Sequence, residues 1–430
     1  MRDDIVRHPA EESSTSAKAK PPGPRRILLA DADAFFVAVA RMEDPEGAGK
    51  APLLIVGGSR DSRGVVCSAS YETRKYGVRS AMSIAQALRL CPQAMCVPVP
   101  RRACSRKSAE VRDVLEQWSP VVEGASIDEW YLDMGGTEGV YKGEPLEETA
   151  RRIRQAVRKA TGLSVSIGGG TAKLIAKLAV ERAKPKPGTD ANGVLVVAPG
   201  AESEFLRGFT LAELPLVGPK FQERLARLGM RTVPDVLQYD LATLTQWLGA
   251  REAAWLYDRV RGIDDSHVER RLDSKSISRD ETFAQDIKDD AELARELLAL
   301  VTRAAYDLRG DGLAARTITV RIRDYDFRTR QASRTLTEPV VWDRVIFAVA
   351  RDLLRKLRSA RRVPARLLGV ALSSLAADPE ADQLALFEMA TDSSGTRGDT
   401  PRDRTLARTV DLVRSKFGPK GIMPGGLQER

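Results

Sequence analysis

The chain has 430 residues, a net charge of +9 and a pI of about 9.4, which together favour several domains and a polyanionic partner. Its only histidines, His8 and His267, lie far in sequence from other candidate catalytic groups. This argues against Ser-His-Asp or Cys-His chemistry and against His-rich zinc sites. The four cysteines lack zinc spacing, and no apolar run reaches the ~18–20 residues of a membrane span, so we expect a reduced, cytoplasmic protein.

The predicted elements begin after a polar leader. Residues 1–25 are rich in Ser, Lys, Pro and Glu, so we expect a disordered segment rather than a signal peptide. Short apolar runs then alternate with helical periodicity, which predicts a mixed α/β or α+β fold. The predicted strands are 27–32, 53–57, 64–69, 94–98, 121–125, 129–133, 163–167 and 193–197. The predicted helices are 104–118, 146–160 and 171–183.

The second half of the chain changes pattern twice. Short helices separated by turns run from 211 to 262, and a polar connector follows. A last folded unit, about 275–375, is typical of a small sandwich with helices on one face of a sheet. Its predicted elements are a first strand before residue 291, helices 291–309 and 342–358, and strands 316–323, 331–337 and 366–374.

Positive charge is concentrated in that last unit. Residues 303–366 contain 16 Arg and Lys against 7 Asp and Glu, an excess equal to that of the whole chain. A solvated basic face is one interpretation, but the localisation favours nucleic acid binding. Residues 376–430 are polar and rich in Gly and Pro, and we expect a flexible tail.

Two acidic motifs lie beside apolar runs of strand length. Asp31 and Asp33 follow the run 27–30, and Asp128 and Glu129 precede the run 130–132. Carboxylates in such positions are costly unless a cation neutralises them. Two divalent ions about 3.5–4 Å apart, held by oxygen ligands, are the machinery of nucleotidyl transfer. Surface acids are common, so neither motif alone would be decisive.

A third motif, Tyr71–Met82 (YETRKYGVRSAM), completes a resemblance to the Y-family translesion DNA polymerases. The resemblance implies an α+β, right-hand polymerase with a ferredoxin-like palm, small fingers, a helical thumb with a helix-hairpin-helix, and an α+β little finger. The implied domains are palm 26–40 and 101–190, fingers 41–100, thumb 191–262, linker 263–274, little finger 275–375 and tail 376–430.

The resemblance also implies an activity, namely template-directed, error-prone addition of deoxynucleotides to a primer without proofreading. Asp31, Asp128 and Glu129 match the family's catalytic and metal-binding residues, which hold two Mg²⁺ ions, with Mn²⁺ as the alternative. A non-catalytic, polymerase-like adaptor is a rival, but adaptors of that kind lose these acids. A nucleotidyl cyclase with a similar palm is a second rival, which the thumb, basic unit and tail disfavour.

Nucleotide contacts are implied residue by residue. Phe36 matches the steric gate that excludes ribonucleotides, whereas Phe35 is expected in the core with its backbone near the triphosphate. Tyr71, Arg74 and Lys184 match the residues that bind the triphosphate. Each of these side chains alone could equally be a core aromatic or a solvated cation.

DNA contacts are implied in the thumb and the little finger. Gly218 and Lys220 match the thumb hairpin, although Leu216 stands where the family usually has Gly. In the basic unit, the candidate phosphate contacts are Arg321, Arg323, Arg328 and Arg330.

Three further segments bear on the resemblance. The tail peptide Gln383, Leu384, Leu386 and Phe387 resembles a sliding-clamp docking motif, and 43 residues follow it. The Gly-rich stretch 166–173 is predicted to be a tight strand-to-helix turn. Ala40 and Glu181 depart from the family pattern without touching the metal set. We expect a monomer that binds DNA, deoxynucleoside triphosphates and the clamp, and no membrane.

Overall fold

A computed structural model describes residues 24–60, 63–185, 190–270, 274–377, 399–418 and 421–425. The chain divides into two compact units. One comprises Met1–Ala38 and Arg101–Arg270, and the other comprises Val39–Pro100 and Arg271–Arg430. Nearly all of the predicted leader lies outside the described residues. Within them, no helix is both long and apolar enough to cross a membrane.

The described strands match most of the predicted ones within two residues. They are β1 Ile27–Ala32, β2 Leu54–Gly57, β3 Val66–Ala69, β4 Met95–Pro98, β5 Val121–Gly124, β6 Glu129–Asp133, β7 Val165–Gly170, β8 Val194–Val196, β9 Ser276–Ile287, β10 Leu313–Asp324, β11 Thr329–Val340 and β12 Ala365–Ala377.

The described helices include every one that the sequence predicted. They are α1 Phe35–Glu43, α2 Tyr71–Arg74, α3 Ile84–Leu90, α4 Arg101–Leu115, α5 Leu146–Thr161, α6 Lys173–Ala183, α7 Glu202–Leu206, α8 Pro219–Arg227, α9 Val233–Leu237, α10 Leu241–Leu248, α11 Ala250–Arg259, α12 Asp290–Gly310, α13 Asp343–Ala360 and α14 Pro401–Phe417. A 3₁₀ turn, Leu211–Glu213, precedes α8.

The first unit is built on a five-stranded sheet of order β5-β6-β1-β7-β8. Strand β1 is central and antiparallel to both neighbours, and all six of its residues are buried. Such burial explains its near-continuous apolar sequence. The sheet therefore fixes Asp31, the one charged residue of β1, inside the unit.

The glycines of β7 bring helix α6 close to the sheet. Gly168, Gly169 and Gly170 belong to the strand itself, so the predicted turn at these residues is wrong. A Cβ atom on Gly168 would lie 2.2 Å from the Ala176 carbonyl oxygen and 2.2 Å from the Val180 nitrogen. Only glycine permits this backbone approach, because any side chain would collide with the helix.

Helices α7–α11 pack around one apolar core in the segment predicted to be a thumb. Before α8, Leu216 has φ +70°, a left-handed conformation that favours glycine, and its side chain is 80% exposed. The hairpin thus keeps, with leucine, a backbone shape that glycine adopts at lower cost. After the thumb, the predicted linker packs on the sheet, since Val268 is buried beside Ile27 and Leu29.

The second unit contains two sheets. A small one, of order β3-β2-β4, carries α2 and α3. A four-stranded antiparallel sheet, of order β11-β10-β12-β9, carries α12 and α13 on one face. This second arrangement is the predicted sandwich.

The prediction of a flexible tail is wrong for residues 401–417, which form α14. Arg309 donates to both carboxylate oxygens of Asp411, at 2.6 and 2.9 Å, and also to Asp343 at 2.6 Å. The Asp399 carboxylate accepts hydrogen bonds from the backbone nitrogens of Val341 and Trp342. These buried ionic contacts, which no local sequence pattern reveals, attach α14 to the basic unit.

Candidate active site

Asp31 and Glu129 lie directly opposite each other on neighbouring strands. They form a pair in the antiparallel register of β1 and β6, near the end of β1 and at the start of β6. The Asp31 residue is 5% exposed, and the Glu129 side chain is 25% exposed. Like charges in this arrangement repel, so the site requires positive charge.

Lysines of helix α6 supply that charge. The Lys177 ammonium lies 2.6 Å from Glu129 Oε1 and 3.9 Å from Asp31 Oδ2. The Lys184 ammonium lies 2.9 Å from Asp31 Oδ2 and 2.7 Å from Glu181 Oε1. Glu181, a departure from the family pattern, therefore helps to hold Lys184.

Asp128 is engaged elsewhere. Its Oδ1 accepts a 2.5 Å hydrogen bond from the Ser126 hydroxyl, and its backbone carbonyl accepts one from Ala32. Among the described residues, no three Asp, Glu, His or Cys side chains are grouped so that they could hold a metal ion. The structure thus pairs Asp31 with Glu129, and it holds the Asp128 backbone against Ala32 while the Asp128 side chain is bonded to Ser126.

The donor set nevertheless suits hard divalent cations. Asp31 and Glu129 offer only carboxylate oxygens, the ligands that Mg²⁺ prefers. Burial raises the pKa of Asp31 to about 7, although Lys184 and Lys177 oppose this shift. The raised pKa means that burial of Asp31 outweighs the stabilisation that the two nearby ammonium groups give to its charged form.

The paired phenylalanines differ in burial as the sequence predicts. Phe35 is 2% exposed and belongs to the core, whereas Phe36 is only partly buried. Their rings meet edge to face at 5.7 Å. Asp33 accepts hydrogen bonds from Ser164 and Ser166, both at 2.8 Å, so its role is structural.

Tyr71 and Arg74 share the short helix α2 of the second unit. The Arg74 guanidinium lies 5.2 Å from the centre of the Tyr71 ring, and its Nε donates to the Ala69 carbonyl. These contacts fix the arginine beside a ring that is 37% exposed. A hydroxyl and a forked cation held together suit phosphate binding.

The predicted thumb contacts lie at the start of α8. Gly218 is the N-cap residue and Lys220 is exposed in the first turn. Backbone N–H groups at a helix start, with a lysine beside them, can bind a phosphate without reading bases.

The little-finger arginines fall on two different faces. Arg321 and Arg323 lie on β10 with their side chains opposite the helices, and Arg328 is exposed in the following loop. Arg330 instead faces the helices, where it pairs with buried Asp324 at 2.9 Å and donates to the Leu357 carbonyl. Its guanidinium stabilises the domain, so a phosphate contact is not favoured there.

The clamp-like peptide, Gln383, Leu384, Leu386 and Phe387, lies outside the described residues.

Comparison with known proteins identifies the family. Residues 30–181 match the impB/mucB/samB family, residues 274–386 match the C-terminal domain of that family, and residues 212–264 match the DNA polymerase-iota thumb domain. The chain is 34% identical to a DNA polymerase IV of Desulfatibacillum aliphaticivorans over 93% of this chain and 96% of the relative. It is 38% identical to that of Halorhodospira halophila, over 82% and 95%. The chain belongs to the Y-family DNA polymerases.

Solved structures agree with this assignment. A Y-family polymerase chimera of Dbh and Dpo4 superposes with a TM-score of 0.72 at 26% identity, covering 81% of this chain and 98% of the chimera. DinB from Sulfolobus solfataricus gives 0.54 at 28% identity over the same shares. The Y-family fold class predicted from the sequence is therefore confirmed.

Sequence reasoning missed the roles of Lys173 and Lys177 in this Y-family palm, and it named Lys184 only as a triphosphate contact. Lys173 and Lys177 share one face of α6, because their spacing of four residues is close to one turn, and Lys184 follows the helix as its C-cap residue. Each is paired with an acid of a different strand: Glu123 of β5, Glu129 of β6 and Asp31 of β1. The four-residue spacing of Lys173 and Lys177 is visible in the sequence, but the acids that these lysines contact cannot be identified from it.

Proposed function

We propose that this chain is a template-directed DNA polymerase that copies damaged templates by two-metal-ion nucleotidyl transfer. The observation that carries the proposal is the opposed pair of buried Asp31 and partly buried Glu129, which lies beside cations in the palm of a Y-family fold. Retention of both acids, with Asp128 adjacent, favours an enzyme over an adaptor.

The proposed ligands of the two divalent ions, Mg²⁺ or Mn²⁺, are Asp31, Asp128 and Glu129. When bound, such ions activate the primer 3′-hydroxyl and neutralise the triphosphate and the leaving pyrophosphate. Asp128 would have to leave Ser126, a rearrangement of one exposed side-chain hydrogen bond.

The other side chains bind and select the nucleotide. The triphosphate is bound by Tyr71, Arg74 and Lys184. Because the triphosphate carries more negative charge than the two carboxylates that pair with Lys184 in its absence, it can compete with them for this lysine. The Phe36 ring lies under the sugar and leaves no space for a 2′-hydroxyl. The enzyme thereby excludes ribonucleotides by shape.

Primer-template DNA is held through its phosphates. Lys220 and the backbone at Gly218 contact one stretch, and Arg321, Arg323 and Arg328 follow another, which gives affinity that falls steeply with salt. Residues 383–387 would dock on a sliding clamp. We propose that the enzyme acts in the cytoplasm, where these substrates are found, and that it acts as a monomer.

The test is primer extension on an undamaged and a lesion-containing template, with and without Mg²⁺. We expect extension only with metal, and none with Asp128→Ala, while fluorescence anisotropy shows unchanged DNA binding by that variant. Extension by Asp128→Ala would remove this residue from the metal set. Absence of extension by the wild-type chain on both templates would refute the function.

A further inference from the structure

A cationic side chain already occupies the space between the two opposed carboxylates. Lys177 reaches across from α6 to contact Glu129 at 2.6 Å and Asp31 at 3.9 Å, with its side chain only 24% exposed. We propose that Lys177 is the resident counter-ion of this site, which neutralises the carboxylates until divalent ions displace it. The proposal rests on the function proposed above and extends it to the metal-free enzyme.

Electrostatics makes Lys177 and a divalent ion competitors. Asp31 and Glu129 are one pair in the strand register, so their repulsion has to be relieved in every state of the enzyme. An ammonium within hydrogen-bond distance of Glu129 relieves it when no metal is present. A metal ion that binds the same oxygens has to break this ion pair first, and its affinity is lowered accordingly.

Lys177 differs from Lys184 in what holds it. Lys184 is also bound by Glu181 at 2.7 Å, so this lysine retains a carboxylate partner when Asp31 binds another cation. Both ion pairs of Lys177 among the described residues are made with the site itself. Lys177 is therefore a counter-ion whose pairing depends directly on metal occupancy.

The same helix provides a matched control. Lys173 pairs with Glu123 at 2.7 Å, and the Glu123 side chain is 2% exposed. Like the pair of Lys177 and Glu129, this ion pair joins a lysine to a glutamate, and it is at least as buried. Glu123, however, is not one of the two opposed carboxylates. Loss of Lys173 therefore reports the structural cost of removing a lysine from α6 without changing competition at the site.

The experiment measures Mn²⁺ binding to the full chain without DNA or nucleotide. Thermal unfolding over a series of Mn²⁺ concentrations yields an apparent Kd even for weak binding, because a ligand of the folded state raises stability as RT ln(1 + [L]/Kd). Lys177→Met should melt at lower temperature without metal and bind Mn²⁺ about tenfold more tightly than wild type. Lys177→Arg should behave as wild type. Lys173→Met should melt lower but keep the wild-type Kd.

Two outcomes would overturn the inference. A Kd for Lys177→Met equal to that for Lys173→Met would show that Lys177 does not compete with metal. A weaker Kd would show that Lys177 instead holds the carboxylates in their metal-binding positions. Primer extension by the wild-type chain tests the proposed polymerase function separately. If the Mn²⁺ affinities follow the predicted order but the wild-type chain extends no primer, the counter-ion role of Lys177 is upheld and the polymerase function is rejected.

Discussion

The close packing of α6 on β7 predicts a severe effect of adding one methyl group at Gly168. The new Cβ of Gly168→Ala would lie 2.2 Å from two backbone atoms of α6, against an ordinary contact limit of 3.4 Å. The helix and strand would have to separate by about 1 Å. Overpacking of this kind costs roughly 1–3 kcal/mol, and we expect the upper end because backbone atoms cannot rotate away.

The same displacement would reach the active site. A shift of α6 by about 1 Å would stretch the 2.6 Å contact between Lys177 and Glu129 beyond hydrogen-bond distance. Gly124→Ala is the matched control, since nothing lies within 4 Å of its added Cβ atom.

The assay is urea unfolding followed by tryptophan fluorescence. Four of the five tryptophans, Trp118, Trp130, Trp247 and Trp255, belong to the first unit and report on it. We expect Gly168→Ala to lose about 3 kcal/mol of unfolding free energy and Gly124→Ala to change by less than about 0.5 kcal/mol. If both variants unfolded like wild type, the inferred contact would not constrain the helix.

The remaining predictions concern the gate, the tail and the thumb. Phe36→Ala should raise ribonucleotide incorporation by about 10²-fold in single-nucleotide extension; unchanged discrimination would reject the gate. Deletion of 383–387 should abolish stimulation by a loaded clamp but leave basal synthesis intact, and retained stimulation would refute the docking role. Burial raises the pKa of Asp399, so the proton that the folded protein retains is lost as pH rises through that pKa, and stability is lost with it. Relative to Asp399→Asn, wild type should therefore melt progressively lower as the pH rises above about 4, the ordinary pKa of an aspartate, and a constant difference would contradict this. Leu216→Gly should stabilise the thumb by about 1 kcal/mol in urea unfolding by relieving the left-handed backbone; a loss of stability would show that the exposed leucine makes a needed contact.

Local patterns predicted much of the fold because the elements have strong periodicity. The buried run 27–32 and the amphipathic pattern of α5 are visible within single segments. The β7 glycines were misread because a glycine run is typical of turns, and close helix packing depends on a partner elsewhere in the chain. The conformation of β7 is therefore determined by its packing against α6 and not by the local preference of glycine.

The site was predictable by residue type and less so by arrangement. Asp31 and Glu129 were identified from motifs, and the strand register explains their meeting. Lys177 was missed because a lysine in a helix is ordinarily solvated, and only the register shows which acids it faces. Arg330 shows the opposite error, because it was predicted to contact phosphate and does not. Its register partner is Ile322, which lies on the face opposite to Arg321 and Arg323 by the same period-2 rule, and only the register reveals this.

The docked helix α14 changes what kind of ligand the clamp-like peptide can be. Whatever path residues 378–398 take, they connect Ala377 of β12 to Asp399, and both of these residues belong to the second unit. Each end of this segment is therefore joined to a described residue of the second unit. The clamp proposed above would therefore bind a segment that is attached at both ends, not a free chain end, and binding would have to leave both attachments in place.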